Sequence, residues 1–305
     1  MKDYDELAAE KVREAKSQLD LLPKTLGDDF VRRANLRVVE AQKKRVESDS
    51  PIQHPFWPEP IRAIPSELLR SALFGCMRRG GFVDGQKLAA WGKTTLTYTG
   101  KRLSQFDESL WLQLVHLCRG QSVSPGHNIH ISARALLREL GIKGGGGSGI
   151  RRLNKSLDRL MSAVVTLSRG DIMLKLASPV RRAAIDKGTG RFAVELNPDW
   201  SSLLNEQATY LDWDTRKSLP TGIATWMHRY ILSHRATPRS PHRVGVEKLH
   251  ALSGMQSVPK EFKRHLKAAM EKLRSRNVVM SWRFTQNNAL EFVRPKKASK
   301  KLPPR

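Results

Sequence analysis

One order of elements occurs twice in this 305-residue chain, and it constrains the fold more than any other feature of the sequence. Each copy has a helical stretch, a turn, a second and strongly basic amphipathic helix, and then strand-like segments. The first basic helix follows the glycine run at 144–149, and the second begins at Pro259. This order is typical of the winged helix-turn-helix. We therefore predict an α+β fold with two tandem winged helix-turn-helix domains, preceded by a helical N-terminal arm.

The two basic helices are the strongest functional signal in the sequence. Each has one apolar stripe at helical spacing, and basic side chains occupy its other faces. A single basic helix is often only a solvated surface, but two in equivalent positions favour DNA binding. Arg, Lys and Asn on a helix read base edges in the major groove and bind phosphates. We predict DNA contacts from Ser148, Arg151, Arg152, Asn154, Lys155 and Arg159 of the first helix and from Lys260, Lys263, Arg264, Lys267 and Arg274 of the second.

The charge of the whole chain points to a polyanionic partner. Lys and Arg number 54 and Asp and Glu number 29, which gives a formal charge of +25. We expect nucleic acid rather than a membrane as the partner, because no segment is apolar and long enough for a span or a signal peptide. The two cysteines, Cys76 and Cys118, provide neither a disulfide framework nor a zinc cluster. These features favour an intracellular protein without a metal.

Composition predicts the domain boundaries. Residues 1–50 are highly charged and too poor in apolar residues for a core, so we predict a mobile helical arm. Five prolines in 51–65 favour an extended linker. The first winged-helix domain then covers 66–197 and the second covers 198–295. The basic tail at 296–305 is expected to be disordered.

No catalytic constellation emerges from the sequence. A nucleotide-binding P-loop needs Lys-Ser or Lys-Thr after its last glycine, and neither follows Gly149. The glycine run is better interpreted as a mobile turn between two helices, which becomes ordered around phosphates. DNA-nicking initiators use two histidines that flank one residue, whereas two residues separate His127 from His130. We predict no catalytic residue, no metal and no cofactor.

Three stretches of the chain resemble a known family. They are IPSELLRSALFG (64–75), LTYTGKRLSQFDESLWLQLVHL (96–117) and GSGIRRLNKSLDRLMSAVV (147–165), and they resemble the TrfA-type replication initiators of bacterial plasmids. The resemblance covers roughly 60–295. It implies a non-enzymatic protein of the bacterial cytoplasm that binds tandem direct repeats, or iterons, in double-stranded origin DNA. It further implies opening of an adjacent A·T-rich region, recruitment of the host helicase, and a monomer–dimer equilibrium in which the monomer binds the repeats.

A second, shorter resemblance lies in the arm. Gln18, Leu19, Leu21 and Leu22 resemble the pentapeptide that binds the DNA polymerase sliding clamp. Pro23 favours extended backbone at Leu22, which suits a peptide lying in a groove. Leu22 stands where that pentapeptide has phenylalanine, which weakens docking. The alternative is the end of an ordinary helix with a leucine stripe.

Two other functions stay open at this point. A winged-helix transcription regulator would bind an inverted repeat as a stable dimer. A DNA-nicking initiator would be an enzyme and would cleave origin DNA in the presence of a metal.

Overall fold

The described part of the protein is a mixed α/β structure. The computed structural model describes residues 52–76, 81–92, 94–142, 146–169, 172–206 and 208–295. Residues from Gln53 onward form one compact unit. The predicted arm (1–50) and the basic tail (296–305) lie outside the described residues.

Together with strands and short helices that the sequence analysis did not predict, the predicted order of elements in both halves is present among the described helices and strands. Those of the first half are β1 (Ile52–Gln53), β2 (Ile61–Pro65), α1 (Ser66–Leu69), β3 (Phe82–Leu88), β4 (Thr94–Lys101), α2 (Gln105–Leu117), β5 (Ser122–Val123), β6 (Asn128–Ser132), α3 (Ala133–Glu139), α4 (Gly147–Met161), β7 (Val164–Arg169), β8 (Ile172–Leu176), β9 (Val180–Asp186), β10 (Arg191–Leu196), α5 (Pro198–Glu206), β11 (Ala208–Asp212) and α6 (Trp213–Ser218). Those of the second half are α7 (Ile223–Leu232), β12 (His242–Gly245), α8 (Val246–Ser253), α9 (Pro259–Ser275), β13 (Ser281–Phe284) and β14 (Ala289–Val293).

Two separate hydrophobic cores divide the unit. The first contains buried residues from Trp57 to Trp213, and the second contains buried residues from Leu219 to Phe292. The boundary between the two cores therefore lies between residues 213 and 219, whereas composition predicted a domain boundary after residue 197. The reason is strand pairing, because β11 pairs antiparallel with β2 and belongs to the first core. A sequence pattern identifies a strand but not its distant partner.

The segment predicted as a proline-rich linker contributes to the first core. Trp57 and Ile64 are fully buried, and Ile61–Pro65 forms strand β2. Prolines exclude a helix here, but they are compatible with a short two-stranded sheet. In an edge strand only some of the backbone N–H groups bond to the neighbouring strand, so a residue without an N–H is tolerated. Tertiary packing thus places in the fold a segment whose composition is typical of a linker.

The same topology occurs in both halves. In the first, α2, β6, α3, α4, β9 and β10 occur in this order along the chain, with other strands between some of them, and surround a three-stranded sheet of order β6-β10-β9. In the second, α7, β12, α8, α9, β13 and β14 surround a sheet of order β12-β14-β13. Both sheets are antiparallel, and in each the last strand lies in the centre and pairs with the preceding strand through a hairpin. The repeated order predicted from the sequence is therefore present in the described residues.

The first half contains an additional sheet that breaks the repeat. Strands β7 and β8 follow α4 directly, but they pair with β3 and β4 in a four-stranded antiparallel sheet of order β3-β4-β7-β8. The hairpin that completes the three-stranded sheet comes later, as β9 and β10. The sequence predicted strand-like segments after the basic helix. Their division between two sheets depends on contacts between residues far apart in the chain.

Local capping explains where the helices begin and end. Ser104 is the N-cap of α2, and Asp107 is the third helical residue of a capping box. The Asp107 carboxylate accepts a hydrogen bond from the Ser104 backbone N–H over 2.6 Å. Ser132 caps α3 by accepting a hydrogen bond from the Ala135 N–H. Gly254 ends α8 with φ of 66°, a left-handed conformation that glycine adopts without steric cost.

We predict that acid destabilises the second core. Burial lowers the pKa of His228 and His234 to about 3 and that of His242 to about 4, from an ordinary value of 6.5. The three histidines stay neutral in the folded protein, whereas in the unfolded chain they take up a proton near pH 6.5. Their contribution to stability is therefore complete above pH 6.5 and is lost as the pH falls towards 4. Each histidine should lower the free energy of unfolding by up to about 1.4 kcal/mol per pH unit in that window. Urea unfolding at several pH values measures this slope.

A single substitution tests the origin of that acid sensitivity. His228→Leu removes one titrating group, so the slope of the unfolding free energy between pH 6.5 and 4 should fall by about one proton equivalent. A slope equal to that of the wild type would contradict the assignment to His228.

Candidate nucleic-acid interface

The first basic helix, α4, presents a polar face to solvent. Its apolar side is buried in the first core through Leu153, Leu157 and Leu160. Ser148, Arg151, Arg152 and Lys155 are exposed, and Asn154 is half-buried. The exposed residues have the spacing i, i+3, i+4 and i+7, so they lie on one helix face. Four of the six residues predicted to contact DNA on this helix are thus exposed, and Asn154 and Arg159 are partly buried.

The N-terminus of α4 adds to this positive surface. The helix begins at Gly147, and its N-cap Gly146 provides no side-chain hydrogen bond to the first-turn N–H groups. Free N–H groups and the helix dipole together favour an anion at this end. Ser148 lies in the first turn and is exposed, so its hydroxyl is positioned beside these groups. Lys143 and the first two residues of the glycine run, 144 and 145, lie outside the described part.

Phe106 orients one of the arginines. The guanidinium carbon of Arg152 lies 3.9 Å from the centroid of the Phe106 ring on α2, the geometry of a cation–π contact. This contact limits the conformations of Arg152 before any ligand binds. Sequence reasoning did not identify Phe106, because a ring on one helix and a cation on another carry no local signal of contact.

Arg159 has a different role from the one predicted. Its Nε and Nη2 donate to the two carboxylate oxygens of Asp107 over 2.9 and 2.6 Å. The Arg159 side chain is only 15% exposed, and Asp107 is fully buried. Ser156 of the same helix also donates to Asp107, over 2.5 Å. Arg159 therefore fixes α4 against α2, and its guanidinium is not part of the exposed basic face.

The second basic helix, α9, has a longer exposed face. Its apolar stripe is buried in the second core, and Lys260, Arg264, Lys267 and Arg274 are exposed at positions i, i+4, i+7 and i+14. Proline occupies the first helical position, Pro259, where its missing N–H has no cost. The N-cap makes no side-chain hydrogen bond, so this N-terminus also favours an anion.

Two glutamates accompany the basic residues of α9. Arg264 contacts Glu261 over 2.7 Å, and Arg274 contacts Glu271 over 3.8 Å. Both pairs are exposed, and exposed ion pairs contribute little because water and salt screen them. A phosphate therefore competes readily for these arginines.

Lys263 connects the helix to the neighbouring hairpin. Its Nζ donates to Asn288 Oδ1 over 2.8 Å and lies 5.0 Å from the centroid of the Phe284 ring. Asn288 is in the β13–β14 turn and has a φ of 50°. A groove of about 180 Å³ lies here, lined in part by Lys260 and His250. The sequence analysis did not predict this contact between the hairpin and the basic helix.

Further arginines lie on the strand that packs against α4. Arg181 and Arg182 of β9 are exposed and lie 3.8 and 3.4 Å from the carboxylate oxygens of Glu195. Since β9 contacts α4, these residues extend the basic surface of the first half. Sequence reasoning overlooked them because it considered only helices. The signal was available in the adjacent pair of arginines at the start of a strand.

The structure provides no grouping that suggests metal chemistry in the part it describes. No cluster of three or more His, Cys, Asp and Glu side chains suited to a metal ion occurs among the described residues. None of the described helices is long and apolar enough to cross a membrane. Gln18, Leu19, Leu21 and Leu22 of the clamp-like pentapeptide lie outside the described residues.

Among the comparisons with known proteins, the match to one family model identifies the family. A search of curated proteins gives no significant match. Among solved structures, domains 2 and 3 of RctB have a TM-score of 0.47 at 11% identity and cover 75% of this chain and 96% of that one. The Pi initiator protein in complex with iteron DNA has a TM-score of 0.46 at 12% identity and covers 67% and 99%. The sequence model of the TrfA protein family matches residues 29–291, so the chain belongs to the TrfA family.

Proposed function

We propose that this protein initiates plasmid replication by binding tandem direct repeats at the origin. Membership of the TrfA family over residues 29–291 is the observation that carries the proposal. The resemblance to plasmid initiators implies that binding opens an adjacent A·T-rich region and that the host helicase is then recruited. We further propose that the protein acts in the bacterial cytoplasm, without an enzymatic activity of its own.

Within this proposal, each half of the compact unit is a winged helix-turn-helix. Helices α4 and α9 are the recognition helices, and the β9–β10 and β13–β14 hairpins are the wings. The repeated topology and the exposed basic face of each helix support this assignment. The division into two DNA-binding domains follows the two hydrophobic cores, with its boundary between 213 and 219.

The roles of the individual residues follow from their exposure. Arg151, Arg152 and Lys155 of α4 are proposed to contact bases or phosphates, with Ser148 at the anion-favouring helix end. On α9, Lys260, Arg264 and Lys267 occupy the N-terminal half of the helix, where recognition helices approach bases. Lys263, Asn154 and Arg274 lie at the edges of these faces. Phosphate contacts supply affinity that depends on salt, and base contacts supply specificity.

Footprinting across the DNA that surrounds the gene tests this proposal. We expect regular protection of direct repeats, spaced by one helical turn or a multiple of it, at near-physiological salt. Protection of a single inverted repeat would instead indicate a transcription regulator. Uniform coating that disappears with salt would reduce the function to non-specific DNA binding.

The same DNA tests for enzymatic nicking. Supercoiled origin DNA incubated with the protein and magnesium or manganese should stay supercoiled. Conversion to open circles, abolished by replacing one tyrosine, would establish the nicking class.

We also propose that the N-terminal arm binds the sliding clamp. Replacing Leu21 and Leu22 by alanine removes the side chains that would fill an apolar cleft, so clamp pull-down should be lost while affinity for origin DNA stays unchanged. Replacing Leu7 and Val12, apolar residues of the same arm, is the matched control and should leave both unchanged. Clamp binding that survives the first double variant would contradict the pentapeptide assignment. Self-association, in which dimers store inactive protein, is the remaining partner that we propose.

A further inference from the structure

Two buried carboxylates stand next to each other on α2 and bind different parts of the protein. Asp107 binds Ser156 and Arg159 of α4, as described above. Glu108 is also fully buried, and it binds one arginine from α6 and one from α7. Its Oε1 lies 2.5 Å from Arg229 Nη1, and its Oε2 lies 2.6 Å from Arg216 Nη2. We call Glu108, Arg216 and Arg229 the Glu108 cluster.

The Glu108 cluster bridges the two cores. Helix α2 packs in the first core, and Arg229 lies on α7, whose apolar residues pack in the second. Arg229 also donates to the backbone carbonyl of Phe74 over 3.0 Å, a residue of the first core. None of the three side chains of the cluster is more than 4% exposed. One carboxylate is therefore shared by two guanidinium groups, so the cluster keeps a formal net charge of +1, and the Phe74 carbonyl accepts a further hydrogen bond from Arg229.

Further hydrogen bonds surround the cluster and cross between the halves. Gln105, one turn before Ser109 on α2, accepts from the Gly222 N–H over 2.7 Å and donates to the Gly222 carbonyl over 2.8 Å. The Cys76 N–H donates to the Ser253 carbonyl over 2.6 Å. These bonds hold the start of α7 and the end of α8 against elements of the first half. The connection between the halves is therefore built from directional contacts as well as from the chain itself.

Buried ion pairs specify an arrangement more than they stabilise it. Removing charges from water costs about as much as their attraction returns, so the net contribution of a complete cluster is small. An incomplete cluster is a different case, because a buried charge without a partner is strongly unfavourable. Any rotation of the second half that separated Glu108 from Arg216 or Arg229 would leave such a charge. The cluster thus favours one mutual orientation of the halves over its neighbours.

A continuous series of contacts connects the two basic helices through these carboxylates. Helix α4 is fixed to α2 by Asp107, α2 is fixed to α7 by Glu108, and α9 packs against α7. We infer that Asp107 and Glu108 hold α4 and α9 at one mutual orientation, and that Glu108 thereby sets the spacing between the two DNA segments that these helices read. This inference rests on the proposed function, in which both helices contact one repeat.

The dependence of binding on spacing tests the inference. The probe is a duplex with one protected repeat, into which one to five base pairs are inserted between the segments contacted by the two helices. Five base pairs turn the second segment by about half a helical turn. A rigid protein then loses the contacts of one helix, and we expect the affinity of the wild type to fall by about 100-fold. A flexibly linked pair would retain most of its affinity, because either helix could follow its segment.

The variant that isolates the cluster removes all three charges together. Glu108→Leu, Arg216→Met and Arg229→Met leave no buried charge unpaired, and such exchanges are often neutral for stability. We expect the penalty for five inserted base pairs to shrink from about 100-fold to less than about 10-fold. Glu108→Gln, which keeps the shape of the side chain, is a second variant and should shrink the penalty in the same direction.

The protein contains a matched control cluster. Glu291 binds Arg243 over 2.6 Å and Arg283 over 2.7 Å, but this triad lies on the sheet surface within the second half. Replacing it by the same three residue types removes the same charges without touching the contact between the halves. The absolute affinity of that control is free to change, but its spacing penalty should equal that of the wild type.

The outcomes distinguish the inference from the proposed function. A wild type that tolerates the five-base-pair insertion within about 10-fold overturns the inference, whether or not the variants fold. A wild-type penalty retained in both folded Glu108 variants also overturns it. A wild type that protects no defined repeat refutes the proposed function itself, and the spacing inference with it.

Discussion

Replacing Asp107 by alanine should lower the free energy of unfolding by about 3–5 kcal/mol, the cost of breaking a buried ion pair from one side. The carboxylate accepts hydrogen bonds from the Ser104 backbone N–H, from Ser156 and from Arg159. Its removal breaks the Asp107 half of the α2 capping box and leaves the Arg159 guanidinium without its partner in a site that is 15% exposed. Chemical denaturation in urea measures the change.

The matched control is Asp158→Ala on α4. Asp158 is exposed, one residue from Arg159, so its removal should change the unfolding free energy by less than about 0.5 kcal/mol. The double variant Asp107→Ala with Arg159→Leu should recover part of the loss, because no charge is then left buried. A loss below about 1 kcal/mol for Asp107→Ala would show that Arg159 finds water or another partner easily.

Replacing Lys260, Arg264 and Lys267 together by alanine should weaken binding to origin DNA by roughly 100-fold. The three side chains are exposed on one face of α9, in the half of the helix closest to its N-terminus. If each neutralises one phosphate, the slope of log K against log salt should become smaller by about 2.7, because each contact contributes about 0.9. Fluorescence anisotropy at several salt concentrations measures both quantities.

A second triple variant separates this effect from loss of net charge. Lys87, Lys101 and Lys175 are exposed on strands of the four-stranded sheet, and none of them belongs to either basic helix. Replacing them by alanine removes the same three charges and should leave the slope within about 0.5 of the wild type. Equal slopes for the two triple variants would mean that α9 does not contact the DNA. The weaker binding would then result from the lower net charge of the protein.

Much of the fold could be predicted because its signals are local. The apolar stripe of α9, with Phe262, Leu266 and Leu273 at helical spacing, required only the order of residues along one helix. The Ser132 cap and the left-handed Gly254 likewise depend on a few neighbouring residues. The repeated order of elements, and with it the proposed winged-helix plan, follows from such signals. The exposed basic faces were predicted for the same reason.

The rest of the fold depends on contacts between distant residues. Strand β7 pairs with β4, more than 60 residues away along the chain, although the sequence of neither strand identifies its partner. Ile61–Pro65 resembles a linker in composition but pairs with β11. The predicted boundary between the halves preceded the change of core for this reason. Pairing of this kind is decided by the total burial of apolar surface, which no single segment contains.

By itself, the sequence determined the helices, most strands, the strongly positive charge and the resemblance to a family of initiators. Only the tertiary structure decided which charges face solvent and which are buried. Arg159, Arg216 and Arg229 are indistinguishable from surface arginines in a sequence, yet each binds a buried carboxylate on α2. The physical reason is that a charged side chain fixes the fold only when it is buried and paired with an opposite charge. Both burial and pairing depend on tertiary packing.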